Sequence, residues 1–180
     1  MKPLFLIGFM CSGKTTLGEA LAGSIGVPFV DLDAAIEDEA GMSVSRIFST
    51  MGEESFRRME ADILARLAGR NDVVVGCGGG TPCRPGAMQM MNAAGITVKL
   101  EARRDVLLRR LMEGRHKRPL LAGVKTADEM SAVIDRLMPA RDAYYNLATH
   151  RFDSSYLESP EEIAASVERF RYEIINQYIQ

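Results

Sequence analysis

The sequence predicts one domain of the α/β class, in which a five-stranded parallel sheet carries helices on both faces. Short apolar runs alternate with segments of helical periodicity along the chain, and this alternation is typical of a parallel sheet covered by helices. No linker rich in Pro, Gly or Ser divides the 180 residues, a length that suits a single domain spanning 1–180. Ligands of such sheets bind at the carboxyl ends of the strands.

The elements are predicted from apolar runs and from the spacing of apolar residues. Strands are expected at residues 4–7, 27–31, 72–75, 96–100 and 150–153. Helices are expected after the first strand, over 52–68, from about 106, over about 127–145 and over about 160–178. A basic segment that contains proline, residues 113–123, separates the third and fourth of these helices.

Residues 8–15 read Gly-Phe-Met-Cys-Ser-Gly-Lys-Thr, the pattern of a phosphate-binding P-loop, between the first strand and the first helix. Small residues there allow backbone N–H groups to turn inward toward phosphate oxygens, and the helix N-terminus adds partial positive charge. Lys14 can reach the β- and γ-phosphates, and the Thr15 hydroxyl can ligate Mg²⁺. The motif predicts nucleotide binding, with contacts from Cys11, Ser12, Gly13, Lys14, Thr15 and Thr16.

The composition bears on the binding partners and on the cellular location of the protein. The net charge of −2 argues against nucleic-acid or membrane-surface binding, which usually requires a basic excess. No signal peptide or membrane-spanning apolar stretch is recognised, and three cysteines without a C-x-x-C pair favour neither disulfides nor zinc. We therefore expect a cytoplasmic protein, and the lack of an obvious exposed apolar stripe favours a monomer.

Polar and glycine residues gather after the predicted strands. Asp31 and Asp33 are two apart, so an extended strand would place both on one face. One carboxylate could hold Mg²⁺ through water while the other meets a substrate hydroxyl, although a helix N-cap and a solvated acid would also explain the pair. Gly78, Gly79 and Gly80 follow the third strand, which implies either a loose turn or a close approach of backbone to a ligand.

Three arginines could recognise an anionic ligand, and each also has a simpler explanation. Arg57 and Glu60 are neighbours on the predicted helix; most such pairs are surface salt bridges, but a guanidinium held by a carboxylate can bind an anion bidentately. Arg118 belongs to the segment 113–123, which is either a solvated loop or a lid that excludes water from the phosphates. Arg141 lies on the following helix, where it could equally be a solvated charge.

Together these residues resemble the shikimate kinase family, which has a nucleoside-monophosphate-kinase-like P-loop NTPase fold with a lid. The resemblance covers nearly the whole chain and rests on the order and spacing of six motifs: the P-loop, 31–33, 56–60, 78–80, 118–121, and Arg141 with Tyr144 or Tyr145 after it. It implies phosphorylation of the 3-hydroxyl of shikimate by ATP with Mg²⁺, on the route to chorismate and the aromatic amino acids. It also implies a lid at about 113–123 and substrate-binding helices at about 32–62.

The resemblance implies roles for individual residues on the ATP side. Lys14 and Arg118 would neutralise charge on the transferring phosphoryl group. Thr15 and Asp31 would place Mg²⁺, with Asp31 acting through water. One of Arg109 and Arg110, together with the loop before Pro160, would sandwich the adenine; we assign Arg110 and Pro160 to the ATP site.

On the acceptor side, the resemblance implies that Asp33 is both a shikimate ligand and the candidate general base. Two arginines, Arg57 and Arg141, would grip the carboxylate, with Glu60 orienting Arg57. Phe48 and Phe56 are candidate apolar walls under the ring. The complete set expected to hold shikimate is Asp33, Arg57, Glu60, Gly78, Gly79, Gly80 and Arg141.

The chain departs from the family pattern at a few positions. Cys11 stands where the family usually has glycine, so we expect a slightly altered phosphate loop. Gly76 and Cys77 replace the more usual pair before the triple glycine, and residues 81–85 and the lid also differ. Two other functions compete: a kinase for another small metabolite such as gluconate, and a nucleotide-dependent switch that hydrolyses ATP slowly.

Overall fold

The structure is a computed structural model that describes residues 1–115, 121 and 123–178. Five strands form one sheet: β1 (Leu4–Ile7), β2 (Phe29–Asp31), β3 (Val74–Gly76), β4 (Ile96–Glu101) and β5 (His150–Asp153). The sheet order is β2-β3-β1-β4-β5, and every neighbouring pair is parallel. The predicted five-stranded parallel sheet is confirmed.

The helices are α1 (Lys14–Ile25), α2 (Leu32–Ala40), α3 (Val44–Ala68), α4 (Ala87–Ala94), α5 (Arg104–Gly114), α6 (Ala127–Tyr145) and α7 (Pro160–Glu173). Periodicity alone predicts neither α2 nor α4. The predicted helix 52–68 is the second part of α3, which is interrupted at Gly52 by a non-helical backbone with φ 82° and ψ 165°. The last helix ends at Glu173, before the predicted residue 178, and a short 3₁₀ turn follows it.

The alternation of side chains along β1 explains why both faces of the sheet are covered. Leu4 and Leu6 point to one side and pack with Leu17 of α1 and Phe170 of α7. Phe5 and Ile7 point to the other side, into a core built by α2, α3, α4, α5 and α6. All four side chains of β1 are fully buried, as expected for a central parallel strand.

The carboxyl ends of β1, β2 and β3 meet at one edge of the sheet. Leu6 pairs with Gly76 across β1 and β3, and Asp31 pairs with the same Gly76 across β2 and β3. The P-loop follows β1, α2 follows β2, and the triple glycine follows β3 directly. The parallel topology therefore brings three sequence-distant motifs to one crevice. In the part of the chain that the structure describes, every helix is too short or too polar to cross a membrane.

Candidate active site

The P-loop connects β1 to α1 through backbone conformations that favour glycine. Gly8 has φ +143°, and a Cβ there would lie 2.6 Å from the carbonyl oxygen of Leu100. Gly13 has φ +94° and packs directly beneath the Leu157 side chain, which leaves no room for a Cβ. Both glycines are required by geometry, because the loop must pass close to β4 and to the segment before α7.

Cys11 also lies in the left-handed region, with φ 61°, although it is not a glycine. This conformation costs a residue with a Cβ about 1 kcal/mol. The thiol compensates in part by lying 3.5 Å from the carbonyl oxygen of Arg110 on α5, to which it donates a hydrogen bond. The loop thus retains a glycine-like backbone at Cys11 and gains a contact to α5.

Polar groups at the start of α1 are held by short hydrogen bonds. The Lys14 ammonium donates to the carbonyl oxygens of Gly8 at 3.0 Å and Phe9 at 2.8 Å, so its charge lies against the curve of the loop. The Thr15 hydroxyl donates to Asp31 Oδ2 at 3.1 Å. Asp31 Oδ1 accepts from the backbone N–H of Asp33 at 3.0 Å and caps α2. The N-cap explanation of Asp31 is therefore correct, and its second carboxylate oxygen still faces Thr15.

Asp33 is not on the strand. It lies in the first turn of α2, so the expectation that Asp31 and Asp33 leave an extended strand on one face is wrong. The chain turns into a helix immediately after Asp31, because that carboxylate caps the N-terminus. Burial, reinforced by the negative charges of Asp31 and Glu60, raises the pKa of Asp33 to about 6, against the opposing effect of Lys14.

Each glycine of the triple-glycine segment faces a different charged side chain. A Cβ on Gly78 would lie 2.8 Å from Asp33 Oδ1, and one on Gly79 would lie 3.1 Å from Arg141 Nη1. A Cβ on Gly80 would lie 3.7 Å from the guanidinium of Arg57. The segment is also hydrogen-bonded, since Thr81 N donates to Gly78 O at 3.1 Å and Cys83 N donates to Gly80 O at 3.1 Å. It is therefore an ordered turn that allows close approach, and the loose-turn explanation fails.

Arg57 and Glu60 form a partly buried ion pair on α3. Arg57 Nη1 donates to Glu60 Oε2 at 2.9 Å, and the Glu60 side chain is only 3% exposed. The other edge of the Arg57 guanidinium contacts Glu53 Oε1 at 3.2 Å. The surface salt bridge expected from periodicity alone is wrong for Glu60, because α3 turns this carboxylate toward the sheet.

Glu60 has a second partner that sequence reasoning missed. The Thr81 hydroxyl donates to Glu60 Oε1 at 2.6 Å, across 21 residues of sequence. Nothing local in the sequence signals this bond, because Thr81 and Glu60 lie on different elements, far apart along the chain. Thr81 is 1% exposed.

Arg141 and Tyr145 reach the triple glycine from α6. The Arg141 guanidinium lies 5.5 Å from the ring centroid of Phe9. The Tyr145 hydroxyl donates to the carbonyl oxygen of Gly79 at 2.5 Å, and its side chain is fully buried. Of the two tyrosines noted in the sequence, Tyr145 is the one that contacts the site; Tyr144 is 40% exposed.

The structure distinguishes Arg110 from Arg109. Arg110 lines the cleft and donates to Ser154 O at 3.0 Å, to Ser155 O at 3.3 Å and to Glu158 Oε1 at 2.8 Å. Arg109 reaches Glu158 from a position with half its side chain exposed. Leu157 and Glu158 also line the cleft, and Pro160 lies just beyond them as the first residue of α7.

These residues surround a cleft of about 610 Å³. Its walls are the P-loop, the start of α1, Asp31, Asp33, the segment 76–79, and the Arg110 side with Glu113 and Gly114. Gly79, which lines the cleft, faces Arg141, and the next residue, Gly80, faces Arg57. Phe48 and Phe56 pack together near Arg57, with ring centroids 4.7 Å apart and a cation–π contact from Arg57 to Phe56. Arg118 and most of the expected lid lie outside the described residues.

Comparisons with known proteins agree on one family. The shikimate kinase family model matches residues 10–171. A shikimate kinase of Phocaeicola vulgatus is 42% identical over 171 residues, which cover 95% of this chain and 97% of that protein. The crystal structure of shikimate kinase from Bacteroides thetaiotaomicron matches with a TM-score of 0.90 and 38% identity, covering 97% of this chain and 98% of that one.

The shikimate kinase structure from Aquifex aeolicus matches with a TM-score of 0.77 and 30% identity, covering 98% of each chain. These matches extend over the P-loop, α3, the triple glycine and α6, which are the elements that build the cleft. They decide against a kinase for gluconate and against a slow nucleotide switch. The chain belongs to the shikimate kinase family, the ATP-dependent enzymes that phosphorylate shikimate.

Proposed function

We propose that the cleft between the P-loop and the triple glycine is where this chain transfers the γ-phosphoryl group of ATP to the 3-hydroxyl of shikimate. One observation carries the proposal. Asp33, Arg141 and Arg57 each face one of three consecutive glycines, so the three charged side chains lie along one ordered turn. That turn adjoins the P-loop. A hydroxy acid bound there would meet a carboxylate at one end and two guanidinium groups at the other.

The acceptor end suits a small carboxylate that carries hydroxyl groups. Arg57 and Arg141 would bind the carboxylate through planar guanidinium groups, which allow bidentate hydrogen bonds that a lysine cannot make. Glu60 holds Arg57 in orientation, and glycine at 78–80 lets the substrate lie against the backbone. Phe48 and Phe56 would form the apolar wall under the ring.

The donor end suits a nucleoside triphosphate. The backbone from Cys11 to Thr16 and the N-terminus of α1 would bind the phosphates. The Lys14 ammonium would leave its carbonyl partners and neutralise charge on the transferring group, with Arg118 of the lid as the second cation. The adenine would lie along the wall that Arg110 and the loop before Pro160 form together, because three hydrogen bonds join Arg110 to Ser154, Ser155 and Glu158 of that loop.

The cleft offers oxygen ligands that fit a magnesium ion. The Thr15 hydroxyl and Asp31 Oδ2 lie 3.1 Å apart and both residues line the cleft. Among the described residues, no cluster of three or more His, Cys, Asp and Glu could hold a metal, which suits a cation that takes most ligands from water and phosphate oxygens. When held there by Thr15 and Asp31, Mg²⁺ would offset the negative charge of the phosphates.

Asp33 has the position and the environment of a group that accepts the proton of the acceptor hydroxyl. Its carboxylate is held next to Gly78, and its raised pKa brings it close to the working range of a general base. Because phosphoryl transfer passes through a loose transition state, we expect Asp33 to contribute more through orientation of the hydroxyl than through proton removal. The lid would exclude water and so suppress hydrolysis of ATP.

The proposal includes the expected setting of the enzyme. We keep the expectations of a single domain over 1–180, a monomer, a cytoplasmic location, and no nucleic-acid or membrane partner. The net charge of −2 supports the last of these. Size-exclusion chromatography coupled to light scattering would test the monomer, which requires a mass near 19.8 kDa.

The first experiment measures ADP release from MgATP with and without shikimate. We expect shikimate-dependent turnover, and we expect Arg57→Ala to raise KM for shikimate by about a hundredfold, since it removes a carboxylate ligand and leaves Glu60 buried without its cation. Arg58→Ala is the matched control, because Arg58 is the exposed neighbour on the same helix. ATP binding without any response to shikimate would contradict the assigned acceptor.

A further inference from the structure

We infer that Thr81 is a positioning residue that sets the orientation of the carboxylate-binding Arg57 through Glu60. This inference rests on the proposed function, because it assigns Thr81 to the acceptor end of the same cleft.

The first step is the state of Glu60. Its side chain is 3% exposed, so its charge requires partners within the protein. The structure gives each carboxylate oxygen one partner: Arg57 Nη1 at 2.9 Å on Oε2 and the Thr81 hydroxyl at 2.6 Å on Oε1. Removing either partner leaves a buried oxygen without a hydrogen bond, and the carboxylate would then turn to regain one.

The second step is the rigidity of Thr81 itself. It begins a 3₁₀ turn, Thr81–Cys83, with Pro82 as its second residue. Thr81 N donates to Gly78 O, and Thr81 O accepts from Arg84 N at 3.2 Å. A hydroxyl on so constrained a backbone fixes the plane of the Glu60 carboxylate relative to the triple glycine.

The third step links this plane to the substrate. Gly80 directly precedes Thr81. The Arg57 guanidinium faces Gly80 and would lie 3.7 Å from a Cβ atom added there. The chain Thr81–Glu60–Arg57 therefore begins and ends at the triple-glycine turn. Arg57 is held at a set distance from the backbone on which shikimate would lie, and two-point binding of a carboxylate depends on that distance.

The test compares Thr81→Val, which replaces the hydroxyl with a methyl group of similar volume, with Thr81→Ser, which keeps the hydroxyl. We expect Thr81→Val to raise KM for shikimate by roughly three- to tenfold with KM for ATP little changed, and Thr81→Ser to restore the wild-type value. Thr81→Ala removes the same hydroxyl without placing a second methyl group in the packed site, and it serves if the valine variant does not fold.

The matched control is Thr97→Val. Thr97 is fully buried on β4, and its hydroxyl donates to Asn92 Oδ1 at 2.6 Å, the same length as the Thr81–Glu60 bond, and accepts from Thr149 N at 2.9 Å. This variant should lower the melting temperature without a selective change in KM for shikimate. It separates loss of a buried hydrogen bond in general from loss of the bond to Glu60.

A double-mutant cycle with Arg57→Ala gives the decisive readout. If Thr81 acts through Arg57, Thr81→Val changes kcat/KM for shikimate by less than about twofold once Arg57 is absent. Full additivity of the two changes, or an unchanged KM in Thr81→Val, would overturn the role of Thr81 while wild-type turnover stays intact. Absence of shikimate-dependent turnover in the wild-type chain would instead overturn the proposed function, and this inference with it.

Discussion

The two ends of the cleft are built in different ways. The phosphate-binding part of the donor end is one contiguous stretch, Gly8–Thr16, whose shape comes from backbone conformation and from carbonyl oxygens that hold Lys14. The acceptor end is assembled from α2, α3, the triple glycine and α6, and it is held by side chains with partners far away in sequence. A contiguous site can be recognised from its own motif, whereas an assembled site depends on the fold.

The two ends also differ in electrostatics. At the donor end, the Lys14 ammonium donates to two backbone carbonyl oxygens, and its charge also opposes the rise in the pKa of Asp33. At the acceptor end, Arg57 is paired with the buried carboxylate of Glu60. Changes at the donor end should therefore reduce the rate of phosphoryl transfer, while changes at the acceptor end should mainly weaken recognition of shikimate.

The largest effect is expected from Lys14→Met. Loss of the ammonium removes charge stabilisation that matters chiefly in the transition state, so kcat should fall by about a thousandfold. Shikimate binding, measured by calorimetry, should change much less than kcat, because Lys14 affects the acceptor end only through its charge on Asp33. Lys2→Met, at an exposed position, is the control. Equal losses of ATP turnover and shikimate binding would contradict the separation of the two ends.

The next effect concerns the pH dependence of acceptor recognition. Asp33 must be ionised to accept the proton of the substrate hydroxyl, and its pKa is about 6. We expect kcat/KM for shikimate to be level above about pH 7, to halve near pH 6 and to fall about tenfold per pH unit well below it, since this parameter reports the free enzyme. Asp33→Asn should lose the inflection along with most activity. A profile flat to pH 5 would contradict the assignment.

The same carboxylate should lower the stability of the protein at neutral pH. Because folding raises the pKa of Asp33 from 3.8 to about 6, the native state holds the proton more tightly than the unfolded state does. The contribution of Asp33 to the free energy of unfolding therefore declines as the pH rises from about 3.8 to about 6. At pH 7 the free energy of unfolding of Asp33→Asn should exceed that of the wild type by at most ~3 kcal/mol, measured by denaturant unfolding, and the difference should vanish below about pH 4.

A smaller effect is expected when a methyl group is added at the turn itself. The Cβ of Gly79→Ala would lie 3.1 Å from Arg141 Nη1, so the guanidinium must shift by a few tenths of an ångström. We expect KM for shikimate to rise about threefold with ATP binding retained. Gly23→Ala is the matched control: nothing lies within 4 Å of its Cβ position in α1, and the change should stabilise the helix by about 1 kcal/mol.

The smallest effect is expected at the donor end, from Cys11→Gly. Glycine relieves the left-handed strain at this position but has more freedom in the unfolded chain, so the two effects nearly cancel in the free energy of unfolding. KM for ATP should change by about twofold, because the phosphates are bound through the backbone. A change of tenfold or more would show instead that the thiol contact to Arg110 O positions the nucleotide.

The donor end was predictable from sequence because its determinants are adjacent. The motif Gly8–Thr15 lies between a strand and a helix as expected, and all five strands were identified from apolar runs. The family resemblance supplied Arg57, Arg141 and the triple glycine, which periodicity alone could not separate from surface charges and a loose turn. Their roles in binding shikimate remain proposals.

The errors and omissions lie where tertiary contacts decide. The placement of Asp33 was wrong because the Asp31 cap begins α2 one residue after the strand. Apolar spacing alone did not reveal the short helices α2 and α4, although the family resemblance implied helices at about 32–62. Thr81 and the bond of Tyr145 to Gly79 were missed because their partners lie 21 and 66 residues away.

The position of β1 in the sheet has a consequence for synthesis of the chain. Of the five strands of this sheet, β1 leaves the ribosome first, yet it is central, and Leu4 pairs with Val74 on one side and Ile96 on the other. At about 5–20 residues per second, its second neighbour follows roughly 5–20 s later. During that interval Leu-Phe-Leu-Ile is an unpaired apolar segment that can associate wrongly. Nucleotide binding is accordingly a late property of the nascent chain, acquired only after β4 has emerged.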